Sequence, residues 1–120
     1  MNDFVKSLLF EIFEKGEPVT CGVLTSGRWY LINEEGILKT YFEFELSGKV
    51  RLVSDDCDVD FDWVLTEDGT LELSKILKLF SFKTKSLNGN VIGMLPDDLL
   101  AGIVLFSEEK AREFLLPLLN

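Results

Sequence analysis

Five aspartates fall within eight residues, at Asp55, Asp56, Asp58, Asp60 and Asp62, in the run DDCDVDFDW. Carboxylates this dense suit three kinds of chemistry. They can chelate a hard cation, supply an acid–base pair, or offer negative charge to a basic partner. The cation reading has a spacing behind it. Asp56, Asp58, Asp60 and Glu67 fall at positions 1, 3, 5 and 12 of a calcium loop. Position 6 of such a loop needs glycine for a sharp turn, and Phe61 stands there. Alternation of Val59, Phe61 and Trp63 with the aspartates describes an extended strand instead. No metal and no cofactor is therefore expected.

Catalysis has little else to draw on. The chain contains no histidine, which removes Ser-His-Asp and Cys-His systems and the usual base near neutral pH. It has neither a G-x-G-x-x-G run nor a P-loop lysine motif. Ser107-Glu108-Glu109-Lys110 matches S-x-x-K, but a serine before two acids and an apolar-periodic run is a helix cap. Lys83, Lys85 and the turn at Asn88-Gly89-Asn90 offer an anion little more than a soluble edge. The expectation is a protein that is not an enzyme. Carboxylate-only catalysis stays open as an alternative, and it would need two acids converging in a cleft with separated pKa values.

In a strand, alternate side chains share a face. Asp58, Asp60 and Asp62 then line one face, with Val59, Phe61 and Trp63 on the other. Residues 41–46 repeat the pattern, with Tyr41, Glu43 and Glu45 opposite Phe42, Phe44 and Leu46. Aspartates two apart lie ~7 Å from one another and repel by roughly 0.6 kcal/mol in water, so a fold tolerates the ladder without selection for it. The candidate partner-binding residues are Tyr41, Glu43, Glu45, Asp55, Asp56, Asp58, Asp60, Asp62 and Asp68. The bland alternative is a solvated face neutralised by Lys49, Arg51, Lys75 and Lys78.

The elements that would position these residues follow from the pattern. Residues 3–15 have an apolar helical face (Phe4, Leu8, Ile12; Val5, Leu9, Phe13), ended by Gly16 and Pro18. Strands are expected at 19–24, 28–33, 37–46, 49–54 and 59–66, joined by Gly-containing turns, among them Glu34-Glu35-Gly36. Residues 70–85 read as one long strand, with a capped helical turn at 74–79 as the alternative. Short strands at 91–95 and 103–106 flank a short helix from Pro96 to Ala101. A last helix follows Ser107, with Ala111, Phe114, Leu115 and Leu118 at helical spacing and Pro117 near its end. Cys21 and Cys57 share strand parity with apolar neighbours and are expected as buried free thiols. The predicted fold is α+β: an antiparallel five- or six-stranded meander sheet, with N- and C-terminal helices packed on one face, in a single domain spanning 1–120.

Charge is distributed unevenly along the chain. Residues 1–68 hold fifteen Asp and Glu against six Lys and Arg; residues 69–120 hold six of each. An acidic surface does not bind nucleic acid or anionic lipid. No run of apolar residues is long enough to span a bilayer as a helix. The N-terminal stretch lacks a basic start and is broken by Lys6, Glu11 and Glu14, so it is not a signal peptide. A cytoplasmic location with reduced thiols follows.

In character, though in no alignable motif, the chain is similar to small cytosolic immunity proteins that neutralise bacterial toxins. Such proteins are often acidic and non-enzymatic, and they cover the basic cleft of a nuclease. That similarity implies a protein-binding inhibitor acting through residues 41–68 on a basic protein such as a nuclease toxin. No direct nucleic-acid, membrane or small-molecule partner is implied. A DNA-mimicking inhibitor of a DNA-binding protein would use the same charge, and an orphan structural or regulatory domain would leave the acidic face merely solvated.

Overall fold

A computed structural model describes residues 3–33, 36–96 and 102–119. The chain starts with helix α1 (Asp3–Lys15) and a single helical turn, α2 (Cys21–Leu24). Eight strands follow: β1 (Arg28–Asn33), β2 (Gly36–Phe44), β3 (Lys49–Val53), β4 (Asp58–Leu65), β5 (Thr70–Lys75), β6 (Lys78–Leu87), β7 (Val91–Pro96) and β8 (Ile103–Ser107). Helix α3 (Glu108–Leu119) ends the described chain. The strands pair in sequence order, all antiparallel. β8 returns to β1 through Trp29 opposite Ser107 and Ile32 opposite Val104, so the sheet closes into a barrel.

Closure overturns the α+β expectation of an open sheet of five or six strands. The cause is local. Residues 70–85, read as one strand, are two strands joined by a tight turn, with Lys75 opposite Lys78. That hairpin, with β7 and β8, brings the number of strands to eight, which is about what a barrel needs to be filled by its own side chains. A closed barrel also leaves no sheet edge to protect.

Two apolar layers result, and the sequence of each strand reflects how many it touches. Inside the barrel lie Trp29, Phe42, Phe44, Val50, Trp63, Leu71, Leu73, Ile92, Met94 and Leu105. Outside it, α1 covers β6, β7 and β8, while α3 covers β8 and β1. Val5, Leu9, Ile12, Ile32, Val91, Val104, Phe106 and Ala111 fill that second layer. β7 and β8 are therefore buried on both faces and read as unbroken apolar runs, VIGML and IVLF. The strands from β2 to β6 meet helices on neither face or only in part, and they alternate. Gly93 on β7 lets α1 approach closely, since a Cβ there would sit 3.0 Å from both Ile12 and Phe13 side chains.

The lower end of the barrel carries the start of β1 and the β2–β3, β4–β5 and β6–β7 turns. It is closed by residues 19–24. Thr20 caps α2 by accepting a hydrogen bond from the Val23 amide at 3.1 Å. Val19 and Leu24 enter the inner core, and the buried Trp29 indole donates to the Leu24 carbonyl at 3.1 Å. A strand expected at 19–24 is thus a capped helical turn. Upstream, Glu17 exchanges two backbone hydrogen bonds with Ser86, tying the end of α1 to β6.

The remaining sequence expectations divide cleanly. α1 and β1 occupy the expected ranges, and Ser107 accepts from the Lys110 amide at 3.1 Å as the cap of α3. The turn at Glu34-Glu35 and the helix expected from Pro96 to Ala101 lie outside the described residues, apart from Pro96, which ends β7. The side chains of Leu115 and Leu118 also lie outside those described. Neither thiol is buried as the pattern predicts. Cys21 and Cys57 are exposed. Cys21 begins α2 rather than lying on a strand, and Cys57 sits in the β3–β4 turn, one residue before strand parity begins.

Candidate functional site

The acidic face forms on β2, β3 and β4, on the side of the barrel that neither α1 nor α3 covers. Asp58, Asp60 and Asp62 all point outward and are exposed, while Trp63 is buried and Val59 and Phe61 are half-buried beneath them. Cross-strand register then decides what each carboxylate meets. Arg28 lies opposite Glu43, Glu43 opposite Arg51, and Arg51 opposite Asp60. This row crosses four strands with alternating sign. Arg28 Nε stands 3.1 Å from Glu43 Oε1, and Arg51 Nε stands 3.5 Å from Asp60 Oδ1. One row below, Lys49 Nζ meets Asp62 Oδ1 at 2.5 Å. The Asp62 hydrogen bond, and then its charge, hold the lysine above its ordinary pKa. Opposite charges directly across strands stabilise a sheet modestly, and all these pairs are exposed.

Tyr41 belongs to the same face but is half-buried. Its ring lies 5.5 Å from that of Tyr30, and the Arg28 guanidinium carbon sits 4.5 Å above its centroid. Glu45 and Asp68 leave the face altogether. They sit in the β2–β3 and β4–β5 turns at the lower end. Glu45 accepts from the Ser47 hydroxyl at 3.3 Å. Asp68 accepts from the Thr66 hydroxyl and from the Thr70 amide, the latter at 3.3 Å. These bonds, the Thr66 one foremost, hold its carboxyl below the ordinary 3.8. A depressed carboxyl adds stability that is present above that value and lost in more acid solution. Asp68 is therefore occupied with its own turn.

At the upper end the balance is different. Asp55 and Asp56 occupy the β3–β4 turn, and Asp58 begins β4 opposite Val53. Among the described residues none of these three has a cation within ion-pair distance. The nine candidates thus resolve into a paired strip (Glu43, Asp60, Asp62, with Tyr41), two turn residues (Glu45, Asp68) and an unpaired upper cluster (Asp55, Asp56, Asp58). The calcium spacing dissolves as well. Asp56 and Glu67 flank opposite ends of β4. Among the described residues no three His, Cys, Asp or Glu converge on a point that would hold a metal.

Beside the acidic cluster lies a feature that the sequence did not disclose. The β5–β6 hairpin holds Ile76 and Leu77 in solvent, 92% and 97% exposed, with Leu79 and Phe80 also exposed. Ile76 has φ 54°. Behind the tip is a cleft of about 400 Å³ lined by Phe61, Lys75, Ile76, Leu77, Lys78 and Phe80. Leu31, Leu52, Phe61, Phe82 and Ile103, each on a different strand, are only partly buried against the inner core. All five lie in the upper halves of their strands, toward the upper mouth of the barrel. A signal was present in the sequence. A sixteen-residue strand at 70–85 exceeds the usual 3–10, and Ile76-Leu77 break its alternation.

A second cleft, about 620 Å³, lies at the lower end between Arg28, Asn88, Asn90, Glu108, Glu109 and Arg112, among others. Its charges are of both signs: Arg112 meets Glu108 at 2.9 Å within it, Arg28 turns to Glu43 outside it, and Glu109 has no ion-pair partner among the described residues.

No known family model, curated protein or solved structure matches the chain. The similarity to immunity proteins was one of character alone. It gains no support from these comparisons. No helix among the described residues is long and apolar enough to cross a membrane.

Proposed function

We propose that the protein is a non-enzymatic docking module for a protein with a basic surface, and that contact centres on the upper end of the β3–β4 hairpin. The supporting observation is the separation of paired from unpaired acids. Asp60 and Asp62 are matched by Arg51 and Lys49 at 3.5 and 2.5 Å, whereas Asp55, Asp56 and Asp58 have no such neighbour among the described residues. Unpaired carboxylates at one end of a rigid barrel concentrate negative potential there, which steers a basic partner and rejects acidic ones. The alternating row Arg28–Glu43–Arg51–Asp60 is not a pair of carboxylate rows, so it favours protein contact over mimicry of a phosphate backbone. Two free thiols fit a reducing cytoplasm.

The test is association kinetics with a basic protein captured on the immobilised chain and then purified. Replacing Asp55, Asp56 and Asp58 together with Asn is expected to slow association by about tenfold and flatten its salt dependence. Replacing Asp60 and Asp62 with Asn, where the charges are already matched, is expected to do less. An unchanged association rate in the first variant overturns the proposal.

A further inference from the structure

We propose that the tip of the β5–β6 hairpin is the apolar anchor of this docking surface, with Ile76 and Leu77 seated in an apolar pocket on a partner protein whose basic residues meet Asp55, Asp56 and Asp58. This inference rests on the docking reading above and adds to it where the binding energy is made.

The hairpin parts from its neighbours before its tip. β5 makes its last pair with β4 at Ser74–Asp62, and β6 makes its last pair with β7 at Phe82–Pro96. Residues 75–81 therefore pair only within the hairpin: β4 runs on to Asp58 but is bonded there to β3 rather than to β5. Lys75 pairs with Lys78, leaving Ile76 and Leu77 as a two-residue turn. Such turns favour glycine or asparagine at a position of positive φ. Isoleucine is among the residues least suited to it, because its branched Cβ crowds the backbone. Here Ile76 adopts φ 54° while its side chain is 92% exposed, so no packing inside this molecule compensates the strain. Strain kept where the molecule itself gains nothing from it points to a contact outside the molecule. Ile76, Leu77, Leu79 and Phe80 gather more apolar surface at one tip than isolated exposed residues would.

Behind the tip the cleft floor is ordered. Phe61 and Phe80 meet edge to face at 6.3 Å, and Lys75 Nζ stands 5.9 Å from the Phe61 centroid. Phe61 also belongs to the strand that carries Asp58 and Asp60, so anchor and charge are joined through one side chain's neighbours. An apolar centre bordered by charge is the layout of a protein-binding hot spot.

The neighbouring charges select the occupant. Lys75 and Lys78 flank the tip itself, and the upper end is shared with the unpaired Asp55, Asp56 and Asp58. Pressed against an anionic bilayer, these three acids would face like charge. In a symmetric tip-to-tip pair of two copies, each acidic cluster would meet its own image. A protein with an apolar pocket for the tip, neutral or acidic where it meets Lys75 and Lys78 and basic opposite the three acids, is complementary to both.

The test uses dodecapeptides selected on the wild-type protein from a phage-displayed random library, then synthesised and measured by fluorescence anisotropy and stopped flow. The expected peptides combine Lys or Arg with Leu, Ile or aromatic residues. Substituting Ile76→Asn with Leu77→Ser should weaken binding by about tenfold or more through faster dissociation, with the salt dependence kept. Asp55→Asn, Asp56→Asn and Asp58→Asn together should weaken binding and remove the salt dependence. A denaturation midpoint confirms that each variant is folded, and Ile76→Gly alone serves if the double variant is not. Wild-type binding by the tip variant overturns the anchor and leaves the docking reading standing. Loss of binding in the tip variant with none in the acidic variant overturns the basic partner. A library without such basic–apolar binders also overturns the anchor. So does tip-dependent binding to phosphatidylcholine–phosphatidylserine vesicles, or tip-dependent dimerisation by sedimentation, either of which assigns the tip to a different occupant.

Discussion

At the lower end of the barrel, the described turns place glycine or asparagine wherever φ is positive: Gly48 at 96°, Gly69 at 87°, Asn88 at 55° and Gly89 at 70°. At the upper end, the β5–β6 turn places isoleucine there. The Glu45–Gly48 and Thr66–Gly69 turns are built alike. In each, the glycine amide donates to the carbonyl three residues back, at 3.0 and 3.1 Å, and the glycine carbonyl accepts from the next strand, at Trp63 and Thr84. Sequence and geometry agree at that end, as they do wherever a turn serves only the fold. They disagree at Ile76. The lower end is closed by α2 and its turns are relaxed; the upper end keeps a strained apolar tip beside unpaired acids. Local conflict of this kind is where function is expected to reside.

The largest expected difference between the ends is in packing. Trp29 is fully buried and its indole holds the α2 closure through Leu24. Trp29→Ala should cost about 3–5 kcal/mol, the range for emptying a buried aromatic site. Phe80, 44% exposed at the upper mouth, should cost well under half as much on the same substitution. Urea denaturation of the two variants checks this. Equal losses would mean that the upper mouth is as much a part of the core as the lower closure.

Reciprocal turn substitutions sharpen the contrast at smaller scale. Gly48 has no atom within 4 Å of where a Cβ would stand, so Gly48→Ile tests φ alone. It should lose about 1–2 kcal/mol. Ile76→Asn should instead gain up to about 1 kcal/mol, because asparagine tolerates the left-handed region. A stabilised hairpin that binds worse would separate the stability role from the docking role in one variant. Destabilisation by Ile76→Asn would show that the isoleucine supports the fold, and the contrast between the ends would fail.

The same contrast explains which parts of the fold were legible. The Gly48 and Gly69 turns announced themselves as Ser47-Gly48 and Asp68-Gly69, and the strands beside them were read nearly to their ends. The β5–β6 turn contains Lys75, Ile76, Leu77 and Lys78 and has no turn residue at all, so two strands were read as one. That misreading hid one strand, and leaving the short strands at 91–95 and 103–106 outside the sheet hid the closure, since β8 pairs back onto β1. The acidic face was legible from alternation, since period 2 fixes sidedness. Which acids were neutralised was not, because pairing depends on register between strands, and register is set by turns whose lengths must first be known. Cys57 failed for a related reason: parity carries no meaning one residue outside a strand.

The smallest expected effect lies on the paired strip. Lys49 and Asp62 are separated by 2.5 Å, yet their side chains are 61% and 59% exposed. Water screens such a pair, and holding two flexible side chains together opposes it. A double-mutant cycle with Lys49→Met and Asp62→Asn should give a coupling of about 0.2–1 kcal/mol. The coupling should shrink as salt rises from 0.1 to 1 M and the Debye length falls from about 10 to about 3 Å. The strip would then be what its geometry suggests, a matched surface that keeps β3 and β4 in register and leaves steering to the unpaired cluster above it. A coupling well above this range, insensitive to salt, would place real stabilisation in the strip. The division between a structural lower and middle region and a docking upper end would then have to be redrawn around Lys49 and Asp62.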